Sequence, residues 1–554
     1  MSINDDKKVE VEEVEDKETD EEDEISVEKP LTESGKDVES TPIHSDDLVR
    51  LGLYGKLVCI FVEIAMLSQL SNTMIMVYAG STPTIKSCGN VSFVTNDDAC
   101  ANYHHCRFNQ NVTFERQFYG VTEQFKLLCD DAKLEKLGTS IQMIGLMFGC
   151  LVFGQISDLF GRKWPMMICL IMCSLFGFLS AFAPSFWYFT VLRTILCFFN
   201  GGQSTISVVY MIENVPKQSR MYLSTLISYS PNVILLGIIA YCFQSWNILA
   251  IVISLFILPA IFLLAFLQES PRWLMQKGRV EEAKRLIMEI DKVDGVKNGM
   301  SEQQLGDLLS DEYKKYSSNT TKQHSFWHLF STRKTAIGTF VIAFTFFSTT
   351  TINYSNMFNL GAISGSIYMN SILIGLLRYS VSIASGYLDY KFIWFNRKTS
   401  HGVCSMFTIA AIFTIILIYM GGTISLFSHV VRYCVLISCA MTAQSIIVAS
   451  VTSNELMPTA IRSLSYSVAQ LSSRFGMVFA PHIFYLNLYL NNDNVISSDN
   501  FMISLPYFIL LLLVVADLLF FRYLIPETKN KPLEDHIIRD SVRLKDMNTC
   551  EVDE

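Results

Sequence analysis

Charge is scarce in this chain. Of its 554 residues 17% are Asp, Glu, Lys or Arg, against about 25% in an ordinary soluble domain, while 50% are hydrophobic. Mean hydropathy is +0.32. A water-soluble globular chain is therefore excluded. No Gly-x-x-x-x-Gly-Lys-Ser/Thr phosphate loop occurs, which argues against ATP-driven pumping. No cluster with metal-ligand spacing and no nucleophile–base arrangement appears, so neither an enzyme, a metal nor a cofactor is expected, and nothing points to nucleic acid. The start is acidic and no short apolar h-region precedes the first long apolar run, so no signal peptide is expected.

The charge that is present is unevenly placed. Residues 1–50 are crowded with acids and lysines, as in Glu10-Val11-Glu12-Glu13-Val14-Glu15-Asp16, and carry much of the net −9. Such a segment buries too little apolar surface to offset its ordering entropy and reads as a disordered tail. Beyond it, runs of about 20 apolar residues, enough to span a bilayer, recur at 55–78, 138–157, 165–184, 186–208, 223–243, 247–267, 335–357, 366–388, 403–421, 429–450, 463–486 and 503–524. Twelve spans then fall in two halves, 51–267 and 335–524, with a linker at 268–334 and a tail at 525–554.

Basic residues set the orientation. They occupy the short loops after spans 2 (Arg162, Lys163), 4 (Lys217, Arg220), 8 (Lys391, Arg397, Lys398) and 10 (Arg462), and are missing from those after spans 3, 5, 9 and 11. This predicts both termini in the cytoplasm and the long loop 80–136 outside. That loop holds two glycosylation sequons, at Asn90 and Asn111, and four cysteines, Cys88, Cys100, Cys106 and Cys129. The cysteines suit two disulfides in any of three pairings. In the linker, apolar and charged residues alternate at helical spacing over 279–290, which predicts an amphipathic helix lying on the inner face of the bundle.

The halves share punctuation. Glu213, Pro216 and Arg220 recur with the same spacing as Glu455, Pro458 and Arg462, 242 positions later. Glu269-Ser270-Pro271-Arg272 is echoed by Glu527-Thr528-Lys529. Repeated helical units of this kind are a recurring design of secondary transporters. After span 2, Gly154-Gln155-Ile156-Ser157-Asp158-Leu159-Phe160-Gly161-Arg162-Lys163 combines a packing glycine (Gly154), an acid at the membrane edge, a turn glycine (Gly161) and two basic residues. This stretch resembles the loop signature of the major facilitator superfamily. Val121-Thr122-Glu123-Gln124-Phe125-Lys126-Leu127-Leu128-Cys129, Glu269-Ser270-Pro271-Arg272-Trp273-Leu274, Asn454-Glu455-Leu456-Met457-Pro458-Thr459-Ala460-Ile461-Arg462 and Pro526-Glu527-Thr528-Lys529 are similar to its organic cation/anion/carnitine transporter family. The resemblance runs from about residue 50 to 535. It implies an all-α membrane protein of major facilitator fold, with twelve transmembrane helices in two pseudo-symmetric six-helix halves. It further implies a plasma-membrane carrier of small organic ions, with a counter-ion and the lipid bilayer as its other partners.

Departures from the family pattern bear on the cargo. After span 8, Asp389 is followed by Lys391, Arg397 and Lys398 without the glycine, so the second gate motif reads as degraded. The family's paired tyrosines in span 7 appear as Asn353-Tyr354, and its acidic residue in span 8 falls at Arg378. Counted from Arg462, Arg474 takes a position where cation carriers of the family have Asp and its anion and carnitine branches have Arg. Ionisable residues inside a membrane are functional candidates by default; besides these two they are Glu63, Arg193, Arg432 and Asp517. A guanidinium in a central cavity suits a carboxylate or sulfate, unless Glu63 or Asp517 neutralises it. His429 and His482 titrate near neutral pH, and the sequence assigns neither a role. The expected substrate-binding set is Arg474, Arg378, Tyr354 and Tyr229, and the expected gate is Asp158, Arg162, Glu213, Arg220, Glu455 and Arg462. The cargo expected is an organic anion or zwitterion. An organic cation or carnitine carrier and a non-transporting receptor or scaffold stay open as rivals.

Overall fold

A computed structural model describes residues 51–88, 91–92, 100, 112–216, 223, 227–296, 301–319, 326–392, 394–458, 461–486 and 500–529. Asn90, Asn111, Cys106 and Arg220, and the side chain of Cys88, lie outside that description.

The helices of the first half are span 1 (Leu53–Ala79), span 2 (Ala132–Phe160), span 3 (Lys163–Ser180), span 4 (Phe186–Glu213), span 5 (Tyr229–Cys242) and span 6, in two pieces (Trp246–Phe256 and Leu258–Phe266). The second half holds span 7 (Arg333–Phe358), span 8 (Ile367–Lys391), span 9 (Arg397–Met420), span 10 (Ile424–Leu456), span 11 (Arg462–Ile483) and span 12 (Asn500–Leu524). Among the described residues 10 helices are long and apolar enough to cross a membrane. Span 5 falls short in length, and span 11 is too polar, carrying Arg462, Arg474 and several serines. Span 6 breaks at Ile257, two residues before Pro259, since proline supplies no N–H and crowds the preceding turn. Side-chain caps mark several starts: Ser185 accepts from the Tyr188 amide, Thr332 from Thr335, and Asn396 from Thr399.

Spans 2 and 4 pack at close range. A Cβ at Gly149 would lie 1.8 Å from the Phe198 carbonyl oxygen, and one at Gly201 would lie 2.2 Å from that of Leu146. Gly154, expected to be the packing glycine, has 3.8 Å to its nearest neighbour, Thr205. The close approach therefore belongs to Gly149 and Gly201, further from the loop motif. Gly161 does make the turn, with φ +102°.

The segment between spans 1 and 2 folds into a three-stranded antiparallel sheet of order β2-β1-β3, with β1 Thr84–Cys88, β2 Val91–Ser92 and β3 Val112–Glu115. Cys100 and Cys129 form a disulfide. In the linker, helix Val280–Val293 buries Ala283 and Leu286 against Trp273 and Leu274. Asp294 accepts from the Tyr54 amide at 2.7 Å, tying this helix to the start of span 1. A further helix, Glu302–Asn319, follows it.

The buried apolar residues form three main clusters. One draws on both halves and includes Tyr78, Phe118, Trp246, Met357, Tyr368 and Val435. The others stay within one half each, around Phe61 and Tyr210 and around Phe346 and Phe521. The shared core lies at the end of the bundle that carries the sheet, here the loop end. The separate cores lie towards the opposite end.

Candidate functional site

Four of the expected side chains come together midway along the bundle. Arg474 of span 11 and Arg378 of span 8 both act electrostatically on Tyr354 of span 7, and Arg474 also acts on Tyr229 of span 5. All four are half-buried. Among the described residues no carboxylate pairs with either guanidinium. Arg474 donates from Nη2 to Ser204 Oγ at 3.2 Å and from Nη1 towards Met477 Sδ at 3.5 Å. Arg378 Nε is buried without a hydrogen-bond partner.

Ser204 was not expected. It sits on span 4, so its bond to Arg474 joins the two halves. Among the small and polar residues Asn200, Gly201, Gly202, Gln203, Thr205 and Ser207, nothing in the sequence singles it out. An apolar hollow between spans 3 and 6, lined by Ile171, Phe178, Ser254 and Leu258, lacks charged groups and lies apart from these residues.

The other intramembrane charges are accounted for elsewhere. Arg193 donates to the side-chain and backbone oxygens of Asn72 on span 1. Arg432 donates to Asn370 Oδ1 at 2.7 Å. Asp517 faces His401 Nε2 at 3.2 Å and accepts from Thr345 Oγ1 at 2.6 Å. The Glu63 carboxyl is reached by Asn232 of span 5. Neither acid neutralises a cavity arginine.

At the end opposite the loop end, each half carries an ion network, and the two are built alike. In the first, Arg162 Nε and Nη2 straddle the Glu213 carboxylate, at 3.0 Å for Nη2, and Nη1 donates to Asp158 at 2.6 Å. Burial works against the Arg162 charge, but the bonds and charge of Glu213 and then Asp158 outweigh it and raise its pKa above the ordinary arginine value. Glu269 accepts from the backbone amides of Arg162 and Lys163, the start of span 3. In the second half, Arg397 forks onto Glu455 at 2.9 Å and reaches Asp389 at 3.0 Å. Glu527 accepts from the amides of Arg397 and Lys398, the start of span 9. Lys163 Nζ donates to the Ala265 carbonyl and Lys398 Nζ to that of Arg522.

One sequence expectation is corrected here. Glu455 pairs with Arg397, while Arg462, expected in the same gate, donates to the Met457 carbonyl and leaves Nη2 buried without a partner among the described residues. The motif after span 8, which reads as degraded in sequence, is intact in space. Lys529 Nζ donates to the carbonyls of Asp389, Phe392 and Phe395, holding a turn built without the glycine.

Between the halves, hydrogen bonds gather at the loop end. Gln117 donates to the Gly365 carbonyl at 3.1 Å and accepts from the Ile367 amide at 2.8 Å, and its own carbonyl accepts from Tyr368 Oη at 2.6 Å. Tyr368 stacks on Tyr78 of span 1. These contacts and the shared core close the loop end.

Comparison with known proteins is consistent with this geometry. The family model described as Sugar (and other) transporter matches residues 58–536. The human steroid transmembrane transporter SLC22A24 is 26% identical over 445 residues, 78% of this chain and 75% of that protein. The human organic cation/carnitine transporter 2 is 25% identical over 442 residues, 77% of this chain and 72% of that protein. Among solved structures, the inward open conformation of the xylose transporter XylE from E. coli superposes with TM-score 0.60 at 18% identity, covering 86% of this chain and 98% of that one.

Proposed function

The chain belongs to the Sugar (and other) transporter family, and from that premise we propose that this multi-pass facilitator carries a small organic anion or zwitterion across the plasma membrane. The halves rock about the cavity in alternating access, with a counter-ion balancing charge and both termini in the cytoplasm. Arg474 anchors the anionic group, Arg378 adds a second positive charge, and Tyr354 and Tyr229 form aromatic walls. The observation supporting this reading is that two half-buried guanidinium groups from different spans act on the same tyrosine, Tyr354, with no carboxylate paired to either among the described residues. Charge complementarity then favours an anionic group on the cargo.

A second reading, an organic cation or carnitine carrier, draws support from the similarity to the organic cation/carnitine transporter 2. The scaffold reading loses its main sequence support, since the second ion network is complete. Liposomes loaded with a labelled aryl carboxylate, a dicarboxylate, carnitine or a quaternary amine separate these readings. Counterflow of an anion is expected, and Arg474→Ala should reduce it at least tenfold, the loss of a charge-assisted anchor worth about 1.5–3 kcal/mol. Unchanged anion flux in that variant would remove Arg474 from the anchor role, and flux confined to the quaternary amine would overturn the proposal.

A further inference from the structure

Of the two intramembrane acids, Asp517 faces His401, while no cation pairs with Glu63 among the described residues. Glu63 is half-buried on span 1, and its Oε2 is buried without a hydrogen-bond partner. Asn232 of span 5 reaches this carboxyl and is itself fully buried. Asn232 Nδ2 donates to the Ser228 carbonyl at 3.2 Å, and its Oδ1 is likewise without a partner. Two oxygens on neighbouring side chains therefore stand unused. An amide oxygen and an ionised carboxylate only accept, and a buried acceptor is costly to leave without a donor.

Two separate routes place Glu63 beside the arginine site. Tyr229, on which Arg474 acts, precedes Asn232 by three positions on span 5, so the two share a helix face. Ser204, which accepts from Arg474, follows Gln203 on span 4, and Gln203 Nε2 donates at 2.7 Å to the carbonyl of Ala65, two positions after Glu63. The depths agree as well. Glu63 lies ten positions into span 1 and Arg474 twelve into span 11, about 15 Å and about 18 Å from helix starts at the end opposite the loop end. A carboxyl and a guanidinium are thus held near one another without pairing.

We infer that Glu63 and Asn232 form an acidic subsite of this same site, which takes the N–H-bearing ammonium end of a zwitterionic cargo while Arg474 holds its carboxylate. This rests on the anchor role given to Arg474 above. Opposed poles that do not touch suit a molecule whose charges are separated by a spacer, such as an ω-amino acid. A primary ammonium brings three N–H donors and serves both unused oxygens. A quaternary ammonium brings none and leaves both unmade. Arg378 keeps positive charge in excess, so the anionic end stays the main anchor and the ammonium selects among anions.

Thermal unfolding of the intact protein in lipid nanodiscs, titrated with ligand, reads apparent affinity without flux. The probes are 5-aminopentanoate, its N,N,N-trimethyl derivative, and hexanoate, in which a methyl group replaces the ammonium. 5-Aminopentanoate should reach a given stabilisation at about one-tenth the concentration that either of the others needs, the factor supplied by one charge-assisted hydrogen bond. Glu63→Gln keeps the shape of the side chain and should bring 5-aminopentanoate to the level of hexanoate. The ranking on the wild type tests the subsite even where that variant fails to fold. Equal potency of the three probes on the wild type, no stabilisation by any of them, or an unchanged ranking in Glu63→Gln would overturn the inference. Stabilisation by sodium chloride over choline chloride that Glu63→Gln abolishes would overturn it too, since the carboxylate would then be an inorganic cation site. Hexanoate measured on Arg474→Ala reports the anion anchor alone, so failure of the ammonium subsite is separable from failure of the transport reading.

Discussion

At the residue scale, Arg193, Arg432 and Asp517 each meet a specific neighbour inside the membrane. Asp517 illustrates the cost of such a group. It is fully buried between spans 7, 9 and 12, facing His401, while Thr345 donates to it and the His401 ring stacks on Phe521. Removing one member of a buried pair strands the other, at about 3–5 kcal/mol, whereas replacing both with apolar groups is often neutral. His401→Leu should therefore lower the thermal midpoint of the purified protein sharply, and adding Asp517→Leu should recover most of the loss. Equal midpoints for the single and double variants would show that the two side chains do not act as a pair. The contrast with Arg474 and Arg378 is instructive. Those side chains have no acid partner among the described residues, which suits groups that wait for a partner from outside the protein. Sequence position pointed to both arginines and both tyrosines, because motif register carries across a span. It gave no hint of Ser204, whose importance comes only from the helix opposite.

At the scale of elements, helix contacts are set by where side chains are missing. Gly149 and Gly201 let spans 2 and 4 approach until a Cβ would overlap a backbone carbonyl. A backbone atom cannot swing aside as a flexible side chain can, so Gly149→Val must push the helices apart. Overpacking of this kind costs about 1–3 kcal/mol and occasionally more. Gly154→Ala, whose Cβ would sit in ordinary contact 3.8 Å from Thr205, should leave stability within about 0.5 kcal/mol. Thermal unfolding of the two variants side by side checks this, and a larger loss for Gly154→Ala would contradict the packing described. The spans themselves were legible because apolar length is a strong signal. The packing glycine was misassigned because a motif marks which stretch matters and not which residue touches the neighbouring helix. The small sheet was not legible, since its strands are only two to five residues long. The disulfide partner was not legible either, because four cysteines allow three pairings.

At the scale of the whole molecule, duplication explains why the two ion networks match and why one was misread. In each half an acid ending an odd-to-even pair of spans, an arginine starting the next span and a glutamate from the chain's exit segment meet at one corner: Asp158, Arg162 and Glu269 with Glu213, then Asp389, Arg397 and Glu527 with Glu455. In the first copy the arginine follows the acid by four positions and in the second by eight. The extra length hides the repeat in the sequence, while Lys529 holds the longer turn in place. Both corners lie at the end away from the closed loop end, where the halves keep separate cores. A carrier that rocks must close this end in its other state, and each arginine fixes the helix ends that would meet there. Matched corners should therefore matter equally. Arg162→Ala and Arg397→Ala should each slow counterflow by about tenfold, a shift of the conformational balance within the usual 1–3 kcal/mol of such couplings, with substrate affinity measured at equilibrium little changed. Arg462→Ala, outside the Glu455 network, should slow it far less. If Arg462→Ala proved as damaging as Arg397→Ala, the equivalence of the two corners would fail, and the Glu–Pro–Arg repeat, not the Arg397 fork, would mark the working gate.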